Sequence, residues 1–178
     1  MADGQADLPK LDAETFRARL LVENDWTEGL AIPEGEELFW VENDLTVQVF
    51  RAARQAACIA RLEAGDWERW AEALLSLRAQ IPGDDASSAL FAALARADFT
   101  KVCFDTHGSK AADSQFTNIK ASPPKSYPAV ADFQGAQFTG PAGFQGAQFT
   151  EWADFQGAQF TGPAGFQGAQ FTEWADFQ

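Results

Sequence analysis

From residue 131 onward the apolar positions fall into one unit, A-x-F-x-x. Phenylalanine stands at Phe133, Phe138, Phe144, Phe149, Phe155, Phe160, Phe166, Phe171 and Phe177, so the spacing alternates five, six, five, six. Alanine stands two residues before each, at Ala131, Ala136, Ala142, Ala147, Ala153, Ala158, Ala164, Ala169 and Ala175. One extra residue follows every second unit: Pro141, Trp152, Pro163 and Trp174. Residues 131–152 therefore recur letter for letter as 153–174, and a further copy begins at Ala175. A helix does not accommodate this pattern. At about 100° per residue, steps of five and six split the phenylalanines over two stripes about 140° and 240° apart. The eight Gly and two Pro of 131–174 would cost a helix on the order of 14 kcal/mol.

An extended chain does accommodate it. Residues two apart share one face of a strand, so each Ala and its Phe point to one side. Four units complete a coil, and the next coil stacks about 4.8 Å above. Phe133 then lies under Phe155 and Phe177, the outward glutamines line up as amide ladders, and the Pro141/Pro163 and Trp152/Trp174 pairs stand at opposite corners. The spacing starts earlier in weaker form, as Ala97-Asp98-Phe99, Val102-Cys103-Phe104 and Ser114-Gln115-Phe116. The insertion 106–113 and the segment around Pro123, Pro124 and Pro128 break it. We read 97–130 as a degenerate, capping coil with loops, the alternative being a plain linker.

Upstream the period is helical. Asp12 is placed to cap a helix to about Glu23 with Phe16, Leu20 and Leu21 on one side. A short strand is expected in 37–43. Leu45, Val49, Ala53, Ala57 and Ala60 predict a helix from about residue 45, capped by Asn43 or Asp44 and ended by Gly65. Asp66 is placed to cap the next, whose stripe is Trp67, Trp70, Ala71, Leu74 and Leu77. Ile81-Pro82-Gly83 stops it, and Asp84 or Asp85 opens another. The expected architecture is α+β: an acidic, helix-rich unit over 1–96, the degenerate coil over 97–130, and a regular β-solenoid with 22-residue coils over 131–178.

The tandem A-x-F-x-x units resemble the pentapeptide-repeat family over about 97–178. The resemblance implies a right-handed quadrilateral β-helix with the central aromatic and the small residue before it facing the axis. The sixth residue in alternate units departs from the family pattern and would lengthen two corners per coil. Some members are acidic rods that look like duplex DNA and act on DNA gyrase or topoisomerase, which supplies one functional alternative.

Charge and composition narrow the rest. The 178 residues carry 26 acidic and 13 basic side chains, a net charge of −13, which disfavours nucleic-acid phosphate and anionic membranes as partners. Twelve of the acids and only three bases lie in residues 1–46. The two cysteines, Cys58 and Cys103, and a polar start, MADGQADLPK, with no export signal point to a reducing, cytoplasmic setting. No apolar run approaches the length of a membrane span.

The residues that bear chemistry are few, and the expectation is a non-enzymatic protein with no cofactor and no metal. Cys103, Asp105 and His107 form the one cluster of nucleophilic or ligating types, too few for zinc; with Phe104 inward, Cys103 is expected outward without a pocket. Gly135 and Gly140 match half of a phosphate loop, but Pro141-Ala142 stands where Lys-Ser/Thr is required. Glu63, Glu68 and Glu72 fit a solvated helix face. A scaffold for an unidentified protein partner is the leading reading, with Trp152 and Trp174 as partner contacts or as corner residues packed on their own coil. Against DNA mimicry, the repeat faces carry only Asp132, Asp154, Asp176, Glu151 and Glu173. Outward columns of Thr139, Thr150, Thr161 and Thr172 raise a remote third reading, binding to ice or another ordered surface. The repeats break off in mid-unit after Phe177-Gln178, so either the chain is part of a longer repeat protein or it self-associates through its C-terminal coil.

Overall fold

The computed structural model describes residues 9–24, 38–41, 48–105 and 117–178. Helix α1 spans Ala13–Asn24. The Asp12 carboxylate caps it, accepting from the Thr15 amide at 2.8 Å and the Thr15 hydroxyl at 2.7 Å, and Phe16 and Leu20 are fully buried. Helix α2 spans Arg51–Ala64, six residues later than the expected start. Gln48–Phe50 instead pairs antiparallel with Leu38–Val41. The run Val47-Gln48-Val49-Phe50 alternates and is rich in β-branched and aromatic residues, and strand pairing outcompetes the helical register there. The proposed caps at residues 43 and 44 lie outside the described residues.

Helix α3 spans Trp67–Arg78. Asp66 occupies its N-cap position, but at φ −109° and ψ 12° its side chain makes no capping bond; it lies 3.5 Å from Arg69 instead. Helix α4 spans Asp85–Ala95, and here Asp84 accepts from the Ser87 amide at 2.8 Å and hydroxyl at 3.0 Å. Helix α1 packs on α3 and α4, and α2 packs on α3 and on the strand Ala97–Asp98.

From residue 97 the chain runs through short parallel strands stacked in four sheets. The first holds Ala97–Asp98, Ala131–Asp132, Ala153–Asp154 and Ala175–Asp176 in that order. The second holds Val102–Asp105, Gln137–Thr139 and Gln159–Phe160, with Thr117–Ile119 on the outer side of Val102–Asp105. The third pairs Ala142–Gly143 with Ala164–Gly165. The fourth stacks Ser126–Tyr127, Gln148–Phe149 and Gln170–Phe171. From Ala131 on, the paired strand residues lie one 22-residue period apart, Ala131 with Ala153 and Phe138 with Phe160. The strands at 97–98, 102–105 and 126–127 join the same stack, Ala97 beside Ala131 and Tyr127 beside Phe149. The Gly after each Phe-Gln pair turns the chain at positive φ, 64° at Gly135 and 68° at Gly157, where a side chain would be strained.

The core is a set of aromatic columns. Phe133 stacks on Phe155 at 4.9 Å and Phe155 on Phe177 at 4.8 Å, with rings within 5° of parallel. Phe138 and Phe160, Phe144 and Phe166, and Phe149 and Phe171 repeat this at 4.7, 4.9 and 4.6 Å. Rings from adjoining sheets meet edge to face, Phe133 against Phe144 at 90°, the arrangement that the ring quadrupole favours. The columns continue down into Phe99, Phe104 and Tyr127. Trp67 of α3 closes that end, 5.4 Å from Phe99 and 6.2 Å from Tyr127. Its indole N–H donates to the Ser126 carbonyl at 2.7 Å. One buried cluster thus runs from Phe16 of α1 to Phe155 of the coils.

Candidate interaction surface

A charged group with several partners lies where the helices meet the coils. Arg78, at the end of α3, donates through Nη1 to the Pro128 carbonyl at 3.0 Å and through Nη2 to the Glu151 carboxylate. Its guanidinium also sits 5.4 Å from the centre of the Phe91 ring of α4. Burial lowers its pKa below the ordinary arginine value, yet a guanidinium stays charged in proteins, so this is an ionic clasp between helix and coil. Beside it opens a cleft of about 590 Å³ lined by Lys10, Ile81, Phe91, Val130 and the Arg78–Glu151 pair. Further ties secure the same junction: Gln55 donates to the Thr100 carbonyl at 2.6 Å, and Glu68 accepts from the Lys125 amide at 2.9 Å. Nothing in the sequence marks Arg78 apart from other helix-terminal arginines, because its partners lie 50 and 73 residues away.

The coil residues singled out from sequence divide by depth. Ala131, Ala136, Ala142, Ala147 and Ala153 are buried, as are Phe133, Phe138, Phe144, Phe149 and Phe155. Phe160, Phe166 and Phe171 are half-buried, and Phe177 is 53% exposed, each keeping its place in a column. The last coil has a neighbour on one side only, and exposure rises toward it. Trp152 and Trp174 stack at 5.0 Å; Trp152 is half-buried and Trp174 is 61% exposed.

The polar columns differ from the sequence expectation. Asp132 and Asp154 do not decorate an open face; together with Asp98 they are buried. Each bonds the amide two residues on: Asp98 with Thr100, Asp132 with Gln134, Asp154 with Gln156, at 2.8–3.0 Å. Arg96 adds an ion pair to Asp132. A short carboxylate held this way locks the turn after the Phe. Three of the four column threonines likewise spend their hydroxyls on the protein itself. Thr150 donates to the Tyr127 carbonyl at 2.7 Å, Thr161 to the Phe138 carbonyl at 3.1 Å, and Thr139 to Asp105 at 3.1 Å. The glutamines do form ladders, Gln134 donating to Gln156 at 2.9 Å and Gln137 to Gln159 at 3.4 Å.

Cys103, expected on the outward side without a pocket, is fully buried; its strand lies between those containing Asn118 and Gln137. Asp105 is buried beside it on the same strand, and His107 lies outside the described residues, as do Ser114, Gln115 and Phe116. Among the described residues no group of His, Cys, Asp and Glu is placed to hold a metal ion, and no helix is long and apolar enough to cross a membrane. Gly135 and Gly140 both sit at positive φ and serve as turns between strands.

Four helices followed by stacked, short parallel strands fit a pentapeptide-repeat β-solenoid. Residues 129–170 match the family model described as pentapeptide repeats (9 copies). No curated protein and no solved structure gives a match to the chain.

Proposed function

From the match of residues 129–170 to the pentapeptide-repeat family model, we propose that the chain is a non-enzymatic scaffold: a right-handed quadrilateral rod, closed at one end by helices, that presents its flanks to a protein partner. The observation that carries this reading is the state of the outward groups. Many amides, hydroxyls and carboxylates of the coils bond one another or the backbone, and Trp174 and Phe177 are the large exposed apolar side chains of the coils. Such a surface suits recognition of another macromolecule through an aromatic anchor. DNA mimicry on gyrase draws no support from the same groups, because the aspartates that would imitate phosphates are enclosed and bonded. An ice-binding face is weakened because the Thr150 and Thr161 hydroxyls already donate to backbone carbonyls.

The test is affinity capture with the full chain and with Trp174→Ala in parallel. A partner retained by the first and lost by the second supports the scaffold; substrate turnover by the purified chain overturns it. We propose in addition that the 178-residue polypeptide self-associates through the outer edge of its last coil, where Phe177 and Trp174 are exposed beside unpaired strand edges. Sedimentation showing a monomer at every accessible concentration would refute that part alone.

A further inference from the structure

We propose that the corner of the solenoid at Thr150, Glu173 and Trp174 is a docking site for an arginine side chain of a protein partner. The chain itself displays the recognition one coil lower. Arg78 uses the two arms of its guanidinium on two successive coils, the Pro128 carbonyl in one and the Glu151 carboxylate in the next. Strand register carries both acceptors up by one period. Tyr127 pairs with Phe149 and Phe149 with Phe171, so Thr150 takes the place of Pro128, and Glu173 that of Glu151. Residues 148–153 and 170–175 are identical in sequence, which sets Glu173 on its coil as Glu151 is set on the one below, and the strand register sets the Thr150 carbonyl one period above that of Pro128.

Two features make the upper corner the better cation site. Glu151 is engaged by Arg78, while Glu173 is exposed and has no ion pair among the described residues. Val130, which borders the lower cleft, is replaced one period up by Trp152 with Trp174 stacked over it. An indole face attracts a guanidinium more strongly than any other aromatic ring, so it can take the part that Phe91 plays for Arg78. Arginine is preferred over lysine because a planar fork reaches two acceptors at once, whereas an ammonium is a single point charge. Packed helices stand 8–10 Å apart, roughly twice the coil spacing; the arginine must therefore arrive from the flank or from beyond the last coil, not from a helix laid beside α3. This proposal rests on the scaffold reading and names the chemistry of its partner.

The experiment titrates the full chain with a capped peptide of sequence LSLRAQIP, copied from residues 75–82. Binding is followed by NMR at the Trp174 indole and the Glu173 amide. The expected result is saturable binding that weakens at least fivefold when the peptide's arginine is replaced by lysine and is lost with alanine. Glu173→Gln in the chain should weaken it at least fivefold as well, while Gln156→Lys, an exposed change elsewhere, should not. Absence of binding, or binding indifferent to Glu173 and to the arginine, overturns the proposal. So does self-association of the chain that Glu173→Gln abolishes, since the occupant would then be a second copy. Either failure leaves the scaffold reading to be decided by capture with Trp174→Ala.

Discussion

A single repeat position can be core or solvent according to its parity, and the two outcomes differ by several kcal/mol. Phe155 is buried among Phe133, Phe144, Phe149, Phe166 and Phe177, and Phe155→Ala should cost about 3–5 kcal/mol in a denaturant titration. Its neighbour Gln156 faces water, and Gln156→Lys should lose only an amide ladder contact; if it proved the more damaging of the two, the inward assignment would fail. Tyr127 is a different case. It fills a phenylalanine place in the fourth column, but its buried hydroxyl has no hydrogen-bond partner in the structure. Burial, and then the nearby Glu68 carboxylate, push the phenol well above its ordinary pKa. Tyr127→Phe should therefore stabilise the protein, by about 1–3 kcal/mol if no water satisfies that hydroxyl, measured in the same titration. Parity of this kind was open to a reader of the sequence, since Ala-x-Phe states it outright. The bonds of the Thr hydroxyls to the protein itself and the enclosure of Asp132 and Asp154 were not, because a column of identical residues does not say which neighbour each side chain bonds.

Among the elements, helix ends were legible where a short carboxylate precedes a hydroxyl residue by three. Asp12–Thr15 and Asp84–Ser87 both form, while Asp66, three before Arg69, finds a cation instead. Bonds from Thr15 and Ser87 hold the two capping carboxyls below their ordinary value of 3.8. A carboxyl with a lowered folded pKa stabilises the fold above the unfolded value, and the contribution drains away as pH falls through the folded one. Between about pH 5 and pH 2, wild-type protein should thus lose more stability than the Asp12→Ala/Asp84→Ala double variant, by thermal melts followed in the far ultraviolet. The start of α2 was misread because Val49 fits a helical stripe and a strand equally well. The strand Thr117–Ile119, paired edge to edge with Val102–Asp105, had no repeat signature to announce it. Coil corners make their own demand. A Cβ at Gly162 would come within 2.6 Å of the Gly140 carbonyl group, so Gly162→Ala should force adjacent coils apart. Faster amide exchange than in wild type at Thr161 and Ala142, whose amides donate to Phe138 and Pro163 across the two coils, would register it.

At the scale of the molecule the helices and the coils are one body, since Trp67 sits on the first aromatic layer and Arg78 grips two coils from outside. The sequence showed where each part lies but not this union, which depends on contacts made across 50 residues and more. The in-register stacking of identical coils also bears on how such a protein changes over generations. Because Ala153 pairs with Ala175 as Ala131 pairs with Ala153, deleting 153–174 joins Trp152 to Ala175 with every local neighbour conserved in kind. The shortened chain should fold with its cap unaltered, by the near-ultraviolet signature of Trp67 and Trp70, whereas deleting five residues should not. A gene with a direct repeat of this length is prone to replication slippage, and each slip adds or removes one storey. Rod height is therefore inherited in whole steps, a dimension that selection can adjust without redesigning a single contact.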